Sequence, residues 1–334
     1  MTAAPIGLLL VNLGTPDAAD VPSTRRFLAQ FLSDPRVVEM PRFLWLPLLH
    51  GVILNTRPAK SAKAYAQIWN DETGEGPLKA VTRMQAEKLG VLADSGQLGS
   101  APIIVDYAMR YGAPGLSAGI EALCAKGCER ILVLPLYPQY AASTTATAFD
   151  EIARVLRKMR RQPTLRFAPP YFDDPVYIEA LAQGLREGLG ALDFEPEAIL
   201  ASFHGLPQFQ IDKGDPYKTH CETTWRLLRE AMGLNERQLR LSFQSRFGRA
   251  KWLQPYTAET AAELAKSGLR RLAIVAPGFS ADCLETIEEL GVEIRDLFLQ
   301  AGGEKFARIP CLNDSEPGMR LLATLARREL AGWV

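Results

Sequence analysis

The fold class that the sequence predicts is α/β, in two similar Rossmann-like halves that each hold a four-stranded parallel sheet. Three observations predict it. Short runs rich in Val, Ile and Leu alternate with amphipathic stretches, the pattern of βαβ units. Met109-Arg110-Tyr111-Gly112 is echoed by Ser245-Arg246-Phe247-Gly248, each followed by a helical stretch. The first apolar strand of each half also closes alike, as VNLGTP (Val11 to Pro16) and SFHGLP (Ser202 to Pro207).

In the first half the strands expected are Ile6 to Leu13, Pro102 to Arg110, Arg130 to Tyr137 and Thr164 to Ala168. In the second they are Ala198 to His204, Gln238 to Ser245, Arg271 to Ala276 and Phe306 to Cys311. Arg130-Ile-Leu-Val-Leu-Pro135 matches Arg271-Leu-Ala-Ile-Val-Ala-Pro277, and an insertion around Arg249 to Gln254 takes up the difference in spacing. The domains are therefore read as 1–170 and 171–334, with the last helix crossing back. Open α/β sheets hold ligands at the carboxyl ends of their strands, which directs attention to a cleft between the halves. Neither first strand leads into G-x-G-x-x-G and no Walker A loop is present, so dinucleotides and nucleoside triphosphates lose their usual support.

Composition bounds the function classes. At 334 residues, 47% apolar and 23% charged, the chain can fill two cores. Lys plus Arg and Asp plus Glu number 38 each, so no overall field favours a polyanion, and nucleic acid is set aside. Five scattered cysteines with no Cys-x-x-Cys pair argue for reduced thiols. Met1 to Leu13 lacks a basic leader, and a cytoplasmic location is expected. Pro41 to Leu54 is the one membrane-like run, too short to span a bilayer. It reads either as a core-packed helix or as an apolar lip over a greasy ligand or a membrane surface.

The chain has three histidines: His50, His204 and His220. His50 sits in the apolar run, and His220 in what reads as an ordinary amphipathic helix. His204 ends a buried-looking strand and meets the turn Gly205-Leu206-Pro207, where ligands of such folds lie. In the second constellation, Ala276 to Leu290, Asp282 could be an N-cap. Glu285 and Glu289 share a helix face, and Glu288 adds a third carboxylate. The plain account is a solvated acidic face; the sharper one is a file of carboxylates relaying protons or hard cations. A histidine with a carboxylate suits divalent iron better than calcium. Two ligands fall short of the three usual in zinc enzymes, which makes a site of transit rather than storage.

These motifs resemble the ferrochelatase family. The matching segments are VNLGTP, NTRPAKSAKAYAQIW (Asn55 to Trp69), MRYGAP (Met109 to Pro114), LPLYPQYAASTT (Leu134 to Thr145), SFHGLP, KGDPY (Lys213 to Tyr217), FQSRFGRAKWLQPYT (Phe243 to Thr257) and PGFSADCLETIEEL. They lie in order over nearly the whole chain. The resemblance implies a chelatase-like enzyme that replaces two pyrrole protons of protoporphyrin IX by Fe²⁺ and gives protohaem, the last step of haem synthesis. By position, His204 and Glu285 resemble the family's metal-site pair, and Glu289 is next along the acidic file. Leu13, Tyr137, Tyr140 and Trp252 match porphyrin-lining positions, and Arg57 a propionate contact.

The resemblance also implies that iron is a substrate and that no cofactor is permanent. Some members hold a [2Fe–2S] cluster through cysteines of a C-terminal tail and, in one branch, one at the place of Ala142; here no cluster is expected. Cys283 stands where relatives often have histidine. The partners implied are porphyrin and ferrous iron, with peripheral membrane contact open and a monomer or weak homodimer expected. The alternatives are a coproporphyrin III ferrochelatase, a sirohydrochlorin chelatase, or a non-catalytic tetrapyrrole-binding protein. The apolar residues Phe43, Leu44, Trp45, Leu48 and Leu49 favour protoporphyrin, whose periphery has fewer charges.

Overall fold

The structure is a computed structural model that describes residues 4–334; the first three residues lie outside the described residues. In chain order the elements are β1 (Ile6–Gly14), α1 (Val21–Leu32), α2 (Arg42–Leu48), α3 (Leu54–Ile68), α4 (Pro77–Asp94), β2 (Ile103–Tyr111), α5 (Leu116–Ala125), β3 (Arg130–Pro135), α6 (Thr147–Leu156) and β4 (Thr164–Phe167). They continue with α7 (Pro175–Gly190), β5 (Ala198–His204), α8 (Gln208–Asp212), α9 (Tyr217–Ala231), β6 (Leu239–Gln244), α10 (Thr257–Lys266), β7 (Arg271–Val275), α11 (Arg295–Gln300), β8 (Lys305–Arg308) and α12 (Glu316–Leu330). π-Helical segments cover Leu49–Ile53, Ala142–Ala146 and Glu285–Ile294. Among the described residues no helix is long and apolar enough to cross a membrane.

The chain divides into two compact units. One holds the residues up to Tyr137, Ala141–Pro169 and Leu322–Val334; the other holds Pro138–Tyr140 and Pro170–Leu321. In the first, a parallel sheet runs in the order β2-β1-β3-β4. In the second, the order is β6-β5-β7-β8, also parallel. Each sheet has four strands among the described residues.

The middle strands read as unbroken apolar runs because helices cover both faces of a parallel sheet. Leu8 to Val11 and Ile131 to Leu134 are fully buried. On one face Leu9, Val11, Ile131 and Val133 pack with Ile120, Leu123, Ile152 and Val155. The second unit repeats the device, with Leu200, Leu272 and Ile274 against Leu264, Leu290, Ile294 and Phe298. Each such side chain removed from water contributes about 1.5–3 kcal/mol.

The ladders fix how the two units correspond, and here the sequence echo needs correcting. Asn12 pairs with Met109, whose N–H donates to the Pro114 carbonyl at 2.7 Å. Phe203 pairs with Phe243, whose N–H donates to the Pro255 carbonyl at 2.8 Å. Met109 therefore corresponds to Phe243, and Leu13 to His204. The Met109–Gly112 echo of Ser245–Gly248 is out of register by two. The physical reason is burial: Tyr111 is fully buried in its unit, whereas Phe247 is exposed beyond the end of β6.

Both strand-closing glycines are required by close approach of the neighbouring strand. A Cβ on Gly14, where φ is +110°, would lie 1.8 Å from the Tyr111 carbonyl oxygen. One on Gly205 would lie 2.7 Å from the Gln244 carbonyl oxygen.

Candidate functional site

In the second unit, β5 is buried from Ala198 to Phe203 and first meets solvent at His204, which is half-buried. The strand stops there because Gly205 and Pro207 follow. His204 Nδ1 lies 2.7 Å from the Gly205 carbonyl oxygen. A carbonyl only accepts, so Nδ1 donates, and in the neutral ring Nε2 holds the lone pair. A Cβ on Gly205 would also meet Trp252 Cε3 at 3.2 Å, so the indole packs against the turn that follows the histidine. Two backbone bonds hold it there: Gln208 N–H to the Lys251 carbonyl, 2.8 Å, and Leu253 N–H to the Leu206 carbonyl, 2.9 Å. The Trp252 Nε1–H is buried and has no hydrogen-bond partner among the described residues.

The acidic stretch is placed by the end of β6. Gln244 Nε2 donates to the Glu285 carbonyl at 2.9 Å and reaches Glu289 Oε2 at 3.4 Å. Its Oε1 accepts from the buried Ser202 hydroxyl at 2.8 Å, which fixes which end of the amide faces the acids. Ser245 donates twice to Glu289, from N–H at 2.7 Å and from Oγ at 2.5 Å. Ser245 has φ +64°, the left-handed region that L-residues rarely adopt, and in it both donors converge on one carboxylate.

Glu285 and Glu289 lie on a π-helical segment rather than an α-helix. Its i→i+5 bonds widen the turn, so positions four apart fall nearly in line. Glu285, Glu289 and Glu293 form one file, Glu285 and Glu289 half-buried and Glu293 exposed. Glu288 is carried off that line.

Burial pushes the Glu289 carboxyl above the usual carboxylate range. The Ser245 hydroxyl and the His204 charge act the other way, while the Glu285 charge adds to the rise. His204 and Glu285 are thus each within electrostatic reach of Glu289. Among the described residues no group of three or more His, Cys, Asp or Glu could hold a metal ion.

Asp282 is not the cap of the π-helical segment, whose N-cap position is Leu284 with no side-chain cap bond. Its carboxylate accepts from Thr286 Oγ1 at 2.8 Å, Arg308 Nη1 at 2.7 Å and Asn313 Nδ2 at 2.8 Å. It ties the start of the π-helical segment to β8 and the turn after it. Cys283 is buried, and that burial pushes its thiol well above the usual range, which keeps it protonated at neutral pH.

In the first unit Leu13 packs beside Phe27, Trp45, Leu49 and Tyr111. Arg57 lies half-buried on α3. Tyr137 follows β3; its hydroxyl is buried without a hydrogen-bond partner among the described residues, and burial pushes it well above the usual phenol range. Behind these residues Asp34 accepts from Arg110 Nη2 at 2.5 Å, from the Tyr111 hydroxyl at 2.9 Å and from the Thr147 hydroxyl. Tyr140 belongs to the second unit. An open groove of about 550 Å³ at the start of β5, lined by Leu192, Phe194, Met232 and Leu234, contains none of the expected site residues.

Gln244, Ser245, Asp34 and His220 were not singled out as functional by sequence. A strand-ending Gln-Ser was the available signal in the first two, but only the backbone angle at Ser245 gives it meaning.

Comparison with known proteins shows the family that the chain is similar to. A family profile described as Ferrochelatase matches residues 5–330. A protein named Ferrochelatase from Rhodopseudomonas palustris is 56% identical over 330 residues, covering 98% of this chain and 94% of its own length. One of the same name from Methylocella silvestris is 53% identical, covering 98% and 95%. Among solved structures, SirB from Bacillus subtilis with Fe³⁺ superposes with a TM-score of 0.55 at 16% identity, covering 98% of this chain and 97% of that one. That last likeness is one of fold.

Proposed function

The chain belongs to the ferrochelatase family and inserts iron into a porphyrin for haem synthesis, and we propose that His204, Glu285 and Glu289 carry the chemistry, with protoporphyrin IX the macrocycle. The observation that supports this most is the His204 tautomer: with Nδ1 committed to the Gly205 carbonyl, Nε2 keeps its lone pair, and the residue lies within electrostatic reach of half-buried Glu289.

Insertion replaces two pyrrole N–H protons by Fe²⁺. The reaction needs a base, a way out for protons, and ligands that take water off the metal. His204 Nε2 can serve as base or as ligand, one at a time, since both use the same pair. Glu285 pairs with it at the metal. Glu289, raised by burial, takes up a proton more readily near neutrality than an ordinary carboxylate and passes it toward exposed Glu293.

Iron is substrate, and the proposal includes no resident cofactor or cluster. The half 171–334 is proposed as the metal-handling domain. Leu13, Arg57 and Tyr137 in the first unit, and Tyr140 and Trp252 in the second, are the residues proposed to meet the macrocycle. The buried hydroxyl of Tyr137 and indole N–H of Trp252, unpartnered among the described residues, support the assignment, since such groups ordinarily have partners.

The test is Glu285→Gln, assayed anaerobically with Fe²⁺ and protoporphyrin IX, with coproporphyrin III in parallel. The expected result is a loss of iron insertion of about 10²-fold or more with porphyrin still bound. Near-native turnover in the variant would remove Glu285 from the mechanism, and faster turnover of coproporphyrin would change the substrate.

We assign the protein to the cytoplasm, as monomer or weak homodimer, with peripheral membrane contact through α2. Phe43 is 77% and Leu44 55% exposed, and Met40, Leu48 and Val52 are exposed beside them. Native protein is expected to sediment with phospholipid vesicles, and the double variant Phe43→Ser, Leu44→Ser to remain in the supernatant. Equal sedimentation of the two would rule this surface out.

A further inference from the structure

The segment Pro138–Tyr140 is held by α9 at two points one helical turn apart. Gln139 is buried and its Nε2 donates to Thr224 Oγ1 at 3.0 Å. Tyr140 N–H donates to His220 Nδ1 at 3.2 Å. His220 and Thr224 are four apart and therefore share a face of α9. That face is the buried one, which also carries Tyr217, Cys221 and Leu228.

The imidazole is held on a second side as well. It stacks on Phe172, ring centroids 3.6 Å apart and planes 8° from parallel. Phe172 is tied to the same helix, since its carbonyl accepts from Thr224 Oγ1 at 2.7 Å.

We propose that His220 is a positioning residue for the porphyrin site, a latch whose neutral Nδ1 accepts the Tyr140 amide and whose protonation turns that acceptor into a second donor and releases the segment. The role in the reaction rests on the assignment of Tyr140 to the porphyrin. The ring is poised for it. Burial lowers its proton affinity, while Asp173, next to Phe172, and Asp215, just before α9, raise it; the balance is a pKa below the ordinary histidine value. The latch is therefore closed at neutral pH and opens only at pH below the ordinary histidine range.

Three variants test it. In His220→Ala, hydrogen–deuterium exchange over residues 138–141 at pH 7.5 is expected to quicken, and KM for protoporphyrin to rise about 3- to 10-fold with little change in kcat, the effect of one lost hydrogen bond. His220→Gln keeps an acceptor that does not titrate. It is expected to restore slow exchange and most of the native KM, and to lack the rise of KM expected of the native protein as pH falls from 7.5 to 5.5. Unchanged exchange in His220→Ala would overturn the latch. Tyr140→Ala tests the separate premise: quickened exchange in His220→Ala with unchanged porphyrin KM in Tyr140→Ala would leave the latch standing and remove its role in the reaction. A pH dependence of KM in His220→Gln identical to native would place the titrating group elsewhere.

Discussion

Replacing His204 by Ala is expected to lower the kcat for iron insertion by about 10²–10⁴-fold, the range that a positioned base contributes. Porphyrin affinity should change little, because the ring is assigned to the metal and the pyrrole protons and not to the macrocycle's edge. The measurement is anaerobic turnover followed by the porphyrin's optical bands, beside a binding titration by porphyrin fluorescence. His204→Gln is the sharper variant: it keeps hydrogen-bonding capacity at the turn but lacks a basic nitrogen. Loss of kcat in both variants with binding intact would fit a base or metal ligand. Near-native kcat in His204→Ala would sink the proposed mechanism.

Replacing Asp34 by Ala is expected to destabilise the first unit by about 3–5 kcal/mol, the usual cost of removing one partner of a buried ion pair. The Asp34 and Arg110 side chains are 6% and 11% exposed, so Arg110 would be left with little water to replace its partner. The Tyr111 and Thr147 hydroxyls would each lose an acceptor as well. Chemical denaturation gives the number; a loss under about 1 kcal/mol would show that the pair was not holding the unit together.

The same group predicts a pH dependence. Burial would raise the Asp34 pKa, but the Thr147 hydroxyl, the Arg36 amide, the Tyr111 hydroxyl and the Arg110 charge together bring it below the ordinary value. A depressed carboxyl contributes stability that is complete above its unfolded pKa and is lost as pH falls through the folded one. The native protein should therefore lose this contribution below about pH 4, and Asp34→Ala should show a shallower acid limb.

The strands were legible because parallel sheets covered on both faces demand continuous runs of Val, Ile and Leu, and each of the eight expected runs holds a strand. Their ends were less so. The last strand was expected to reach Cys311, but the ladder with β7 closes at Arg308 and Pro310 follows soon after. The histidine at the end of β5 could be singled out because so few exist and a Gly and a Pro follow it. The file of acids was visible, its π-helical winding was not, since residues four apart share a face under either hydrogen-bond pattern. Nor could spacing show that Gln244 and Ser245 hold Glu289, or that His220, which reads as one residue of an amphipathic helix, accepts an amide from Tyr140. Those contacts depend on one backbone angle and on pairs of residues 44, 45 and 80 apart in sequence.

The ladders give Leu13 and His204 the same address, one at the close of each unit's central strand. If both units descend from one ancestral copy, that address has been inherited twice and has taken two trades, a hydrocarbon in one lineage and an imidazole in the other. Each copy kept the glycine after it, because the neighbouring strand leaves no room for a Cβ. At that address the two units differ in the side chain and agree in the residue that follows it.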